Sequence, residues 1–176
     1  MSYKTSITID EVDRQILNIL LQDANTAYAD IAKRIHVSAG TVHVRMRRLE
    51  KLGIANPAFL NINYRKIGYD ISAFLGIKAE KAQYAPNIIR ALEFIGEVTS
   101  ADLTTGNYNV FAKVVCRDTT HLQITLQQIE NLEYVKAVES FLSLQQTINR
   151  PIYIKDDYYY EQLLLQDSIN ESPMEK

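Results

Sequence analysis

Residues 26–53, TAYADIAKRIHVSAGTVHVRMRRLEKLG, constrain the fold of this chain more than any other stretch, because two short helical patterns follow one another across a turn of very few residues. In the first pattern Thr26 stands where its hydroxyl can cap the opening turn, and Ala29, Ile31, Ala32 and Ile35 point toward a core. The small alanines let a neighbouring helix approach closely. In the second, Ser38 is the expected N-cap, Val42, Met46 and Leu49 share a face at offsets of four and seven, and Gly53 is a left-handed stop. The other face of this second helix carries Thr41, His43, Arg45, Arg47 and Arg48, and from Lys33 to Lys51 six basic residues stand against one acid, Glu50.

That distribution has a chemical meaning. Short hydrogen-bonding groups near a helix N-terminus reach base edges in the major groove, and guanidinium groups grip phosphates or guanine edges. The pattern predicts a helix-turn-helix whose DNA-binding residues are Ser38, Ala39, Gly40, Thr41, His43, Arg45, Arg47, Arg48 and Lys51. Ser38, Thr41, His43 and Arg45 are expected nearest the bases, with Arg47, Arg48 and Lys51 mainly on phosphates. Upstream, residues 10–22 place Val12, Ile16, Ile19 and Leu20 at helical spacing behind an Asp10 cap, with acids in the first turn favourable to the helix dipole. They predict the supporting first helix of a three-helix head over residues 1–54. Residues 55–67 (ANPAFLNINYRKI) read as a hinge strand and linker.

The second half repeats one plan twice. Residues 71–78, 85–94 and 97–103 read as strand, helix and strand, with Pro86 in the helix's first turn; residues 108–116, 120–130 and 135–144 read the same way. Two such units in tandem predict a ferredoxin-like βαββαβ domain over residues 68–152, a four-stranded sheet with both helices on one face, and hence an α+β chain overall. Apolar residues on both sides of the strand at Val110–Val115 imply that the second sheet face is also covered, most economically by a second copy of the chain. An isologous dimer is therefore expected, which also suits paired DNA half-sites.

Composition narrows the class further. No apolar run approaches the ~20 residues of a bilayer span, and the N-terminus carries no signal-peptide core, so a cytoplasmic protein is expected. Cys116 is the only cysteine, which excludes an intrachain disulfide, and it reads as a buried small hydrophobe. The three histidines lack carboxylates at ligand spacing, so no metal site is expected. The net charge of −2 conceals a basic head and an acidic remainder. With no nucleophile–base arrangement, phosphate-binding glycine loop or cofactor motif, the chain reads as a non-enzyme.

Five segments carry a resemblance to a known family: IDEVDRQIL, TAYADIAKRIHVSAGTVHVRMRRLEKLGI, KIGYDISAFLGIK, TTGNYNVFAKVVCRD and VESFLSLQQTINRPI. Spanning nearly all of residues 7–152, they resemble the feast/famine, or Lrp/AsnC, transcription regulators, and among these the asparagine-responsive ones. The resemblance implies a DNA-binding head on a ligand-sensing domain, dimers often gathered into octamers of four dimers, and an amino-acid effector, asparagine first, bound between dimers. It places the effector at Leu103, Thr104, Thr105, Gly106, Asn107, Tyr108 and Asn109. Taken alone, TTGNYN is an ordinary hairpin turn, though Gly106 permits close backbone approach and the Thr and Asn side chains supply donors and acceptors. A broader leucine-type responder and an effector-free architectural DNA-binding protein are the alternative readings.

The chain departs from the family pattern at three places. His36 stands at the tight turn where glycine is usual, and histidine tolerates the left-handed conformation at a cost on the order of 1 kcal/mol. Asn109 stands where many members carry an acid, and an amide can only hydrogen-bond an effector's ammonium. Residues 153–176 extend past the pattern as an acidic tail, read either as a short packed segment around Leu163–Leu165 or as a frayed terminus.

Overall fold

The computed structural model describes residues 9–58, 60 and 62–156. The described residues form two units: a head of residues 9–58, 60 and 149–156, and a second unit of residues 62–148. Each follows from its own hydrophobic pattern.

The head has three helices, α1 (Glu11–Gln22), α2 (Tyr28–Arg34) and α3 (Ala39–Lys51). α1 opens on a reciprocal capping box: the Asp13 amide donates to Asp10 Oδ1 at 2.9 Å and the Asp10 amide donates to Asp13 Oδ2 at 3.3 Å. α3 opens on Ser38, whose Oγ accepts from the Thr41 amide at 3.0 Å. Ile16, Leu17, Ile31, Ala32, Val42, Met46 and Leu49 form the core between the helices. The turn joining α2 to α3 passes through His36 at φ 57°, closed by the Val37 amide on Ala32 O at 3.0 Å, and α3 ends at Gly53 with φ 68°.

Three expectations for the head are corrected. Ala27, not Thr26, precedes α2, and no side chain caps it; the Thr26 hydroxyl donates instead to Asp23 O at 2.8 Å, because the Asp23 turn claims it first. Ala29 is exposed, since it lies two residues before Ile31 and so faces away from the buried stripe. The expected hinge strand is not seen among the described residues of 55–67, whose only regular element is a 3₁₀ turn, Tyr64–Ile67, capped by Asn63. A strand needs a ladder partner, and Pro57 contributes no amide to one.

The second unit runs β1 (Ile71–Ala79), α4 (Ala85–Leu92), β2 (Val98–Leu103), β3 (Val110–Cys116), α5 (Thr119–Glu130), β4 (Val135–Leu142). Its sheet has the order β2-β3-β1-β4 with every neighbouring pair antiparallel, the ferredoxin-like arrangement. Alternation along β3 sends Val110, Ala112, Val114 and Cys116 into a core shared with Ala73, Leu75 and Ile77 of β1, Ile88 and Leu92 of α4, and Leu122 and Ile129 of α5. Pro86 occupies the first turn of α4, and Asp118 caps α5 by accepting from the His121 amide at 2.8 Å.

Residues 149–156 pack with the head. The side chain of Asn18, buried on α1, donates from Nδ2 to Ile154 O at 3.0 Å and accepts from the Ile154 amide at 2.8 Å, and Ile154 packs on the head core. The beginning of the tail is therefore held by two bonds from the Asn18 side chain to its backbone, which its own sequence gives no sign of. The Leu163–Leu165 cluster lies outside the described residues.

Candidate DNA and effector sites

Asp13 of α1 and its N-cap Asp10 organise the basic surface of α3. Asp13 is fully buried, and its carboxylate takes Arg48 Nη1 at 2.9 Å and Arg45 Nη1 at 3.3 Å; Arg45 also donates to Asp10. The Asp13 amide, followed by Arg45, holds the Asp10 carboxyl below its ordinary range, and the bond to Asp10 raises the Arg45 guanidinium further. Both arginines keep part of their surface in water, 32% and 46% of the side chain. A buried carboxylate needs such partners, because desolvating it unpaired is prohibitive. The periodicity that predicts α1 also carried the signal for Asp13: it precedes Ile16 by three and Leu17 by four, so it shares their buried face.

With Arg45 and Arg48 anchored on that flank, the face of α3 opposite its core is a line of Gly40, Val44, Arg47 and Lys51, all exposed. Val44, 67% exposed, was not among the residues expected there from sequence. Ala39 is exposed in the first turn, Ser38 and Thr41 share a hydroxyl–hydroxyl contact of 2.8 Å, and His43 lies beside α2 with its ring 6.0 Å from that of Tyr28. The predicted DNA residues are thus on one helix surface in two electrostatic conditions, tied and outward-facing.

The predicted effector residues separate into a tip and a base. Leu103, Thr104, Thr105, Gly106 and Asn107 are exposed at the β2–β3 hairpin, where Gly106 adopts φ 96°, and the Thr104 amide donates to Asn109 O at 3.1 Å. Asn109 is bonded to β1: its Oδ1 accepts from the Ala79 amide at 2.9 Å and its own amide donates to Ile77 O at 2.9 Å. That oxygen is committed to β1. Tyr108 lies across the sheet, over Gly76, where a Cβ would meet its ring at 2.7 Å. Its hydroxyl donates to Glu139, which raises its pKa, and Lys78 Nζ stands 5.4 Å from its ring centre.

Tyr108 joins a patch on the sheet face away from the helices. Phe111 lies 6.1 Å from Phe74, 6.3 Å from Phe141 and 6.3 Å from Tyr108, ring centre to ring centre, and Phe74 and Phe141 remain 37% and 41% exposed. Phe74 and Phe141 are register partners, which is why alternation brings them together. Elsewhere in this unit, His121 Nε2 meets Glu97 Oε1 at 2.8 Å while its Nδ1 accepts from the Arg117 amide at 3.2 Å, and this bond lowers the Glu97 pKa. Burial raises the Cys116 thiol. Among the described residues no group of three His, Cys, Asp or Glu side chains could hold a metal ion, and no helix is long and apolar enough to cross a membrane.

These features meet in known proteins. Residues 9–50 match the AsnC-type helix-turn-helix domain and residues 72–153 the Lrp/AsnC ligand binding domain. The regulatory protein AsnC of Escherichia coli K12 is 39% identical over 145 residues, covering 82% of this chain and 95% of that protein; AsnC of Haemophilus influenzae is 38% identical over 145 residues, covering 82% and 97%. The solved structure of E. coli AsnC superposes with a TM-score of 0.77 at 38% identity, over 84% of this chain and 99% of the other. A feast or famine regulatory protein from Mycobacterium tuberculosis, complexed with L-methionine, superposes at 0.76 with 26% identity, over 84% and 100%.

Proposed function

The chain belongs to the Lrp/AsnC family of transcription regulators, and from that premise we propose that it is a cytoplasmic, sequence-specific DNA-binding regulator of amino-acid metabolism genes whose effector is asparagine. The observation that carries the DNA part is the outward line of Gly40, Arg47 and Lys51 on a capped second helix of the helix-turn-helix. In this reading α3 enters the major groove, Ser38, Ala39, Gly40, Thr41 and His43 approach base edges, and Arg47 and Lys51 meet phosphates. Arg45 and Arg48 reach the backbone from the flank, oriented by Asp13. Salt weakens the binding steeply, because each neutralised phosphate releases counterions.

Asparagine is favoured by the 39% identity to E. coli AsnC, and an amino-acid-sized ligand by the methionine held by the mycobacterial relative. The hairpin tip, Leu103 to Asn107, contacts the effector, and Tyr108 and Asn109 hold the tip in place from the sheet. The aromatic patch of Phe74, Phe111 and Phe141 is covered by a second copy, giving a dimer, and four dimers form an octamer with the effector between them. A ligand shifts such an assembly only by preferring one form, and a coupling of about 1–3 kcal/mol makes a working switch.

Calorimetric titration with asparagine and then the other nineteen amino acids, followed by light scattering, tests the effector. Saturable asparagine binding near one per subunit with a change in assembly supports it. Heat with leucine and not asparagine replaces it with the broader responder, and silence with all twenty replaces it with an architectural role.

A further inference from the structure

We propose that Gly40 and Val44 form a seat for the C5 methyl of a thymine in the major groove, which makes Val44 a specificity-determining residue; the inference rests on the reading that α3 enters that groove. Gly40 and Gly76 are the two glycines within described helices or strands. Gly76 is explained, since the Tyr108 ring excludes a Cβ there. Gly40 is not explained by the fold: a Cβ would meet only Ser38 Oγ, at an ordinary 3.7 Å, and its backbone is helical. Glycine is nevertheless among the poorest helix formers, so the head gives up stability at this position.

One turn on, Val44 repeats the anomaly. A β-branched apolar residue, 67% exposed, stands in a helix interior between Gly40 and the cations Arg47 and Lys51. Neither residue serves helix propensity, packing or solvation, and such breaks of local rule mark function. Together they make a shallow apolar notch on a surface whose charge complements phosphate. The only apolar group on a base edge in the major groove is the thymine methyl. Gly40 lets the helix backbone approach it, and the Val44 methyls cover it.

The test uses the full-length protein and duplexes it selects from a random-sequence pool, with each thymine replaced singly by deoxyuridine, which removes the methyl alone. One such replacement per half-site weakens binding by about three- to tenfold, the scale of one buried methyl. Val44→Ala loses this sensitivity while keeping its helical circular dichroism. Gly40→Ala raises the melting temperature of the head and weakens binding, an opposition that a merely structural glycine does not produce. Uniform tolerance of deoxyuridine, or unchanged sensitivity in Val44→Ala, overturns the inference and leaves the groove reading standing. A protein that retains no duplex at low salt overturns both.

Discussion

The two units of this chain are held together by different physics. The sheet unit has an apolar core in which Thr125 is the one polar residue among the fully buried side chains described, and its hydroxyl is satisfied by His121 O at 2.9 Å. The head, with a smaller core, also buries Asp13 and Asn18, each bonded to groups distant in sequence. Small domains bury too little apolar surface for packing to specify one arrangement, so directional polar contacts acquire weight. In this head the contacts that orient α3 use two arginines of the same helix that carries the outward basic line. Basic residues on α3 therefore divide into those that place the helix and those that project from its outer face.

That contrast can be broken by substitution. The largest effect is expected in the sheet unit: Ile88→Ala, in a fully buried site between α4 and the sheet, lowers its stability by about 3 kcal/mol, read as earlier thermal unfolding of the sheet amides in hydrogen exchange, with the head amides unaffected. Asp13→Asn keeps the shape and removes the charge, and costs the head about 2 kcal/mol through the weakened Arg45 and Arg48 bonds; protection lost across α1 and α3 checks it, and unchanged protection breaks the claim that polar contacts hold the head.

The division among the arginines is sharpened by a pair of variants. Arg47→Ala weakens DNA binding by about tenfold, or ~1.4 kcal/mol, at unchanged melting temperature, whereas Arg45→Ala lowers both; equal behaviour of the two in gel-shift and thermal assays removes the distinction. His36→Gly relieves the left-handed histidine and raises head stability by ~1 kcal/mol, visible as a higher melting temperature of the head with the sheet unit unmoved. The smallest effect concerns acid. Glu97 has its folded pKa depressed, first by the His121 bond, so the stability it adds is complete above the ordinary carboxylate range and is lost as pH falls through the lowered value. Glu97→Gln accordingly costs about 0.5 kcal/mol near neutrality, and calorimetric scans of the two proteins converge as the solution is acidified.

Much of this was legible from residue order. The capping box partner Asp10, the Ser38 cap, the positive φ at His36 and Gly53, and the paired strand–helix–strand units all depend on neighbours within a few positions, and periodicity reports such neighbours faithfully. The departures from residue order are local competitions. Thr26 has the chemistry of a helix cap but bonds back to Asp23, and Ala29 lies off the apolar face that its neighbours Ile31 and Ala32 share. The composition of residues 55–67 favours an extended chain, but composition records a preference for extension and not the presence of a partner.

Helices, strands, turn chemistry and family membership were thus determined by the sequence itself, because each is written in short-range spacing or in ordered matches along the chain. Only the tertiary structure decided that Arg45 and Arg48 turn to Asp13, that Tyr108 leaves the hairpin tip to lie over Gly76, and that Asn18 holds Ile154 across 136 positions. The reason is physical. A buried charge or amide takes whatever partner the packed helices and strands bring within about 3 Å, and that proximity is a property of the assembled core, which no local pattern encodes.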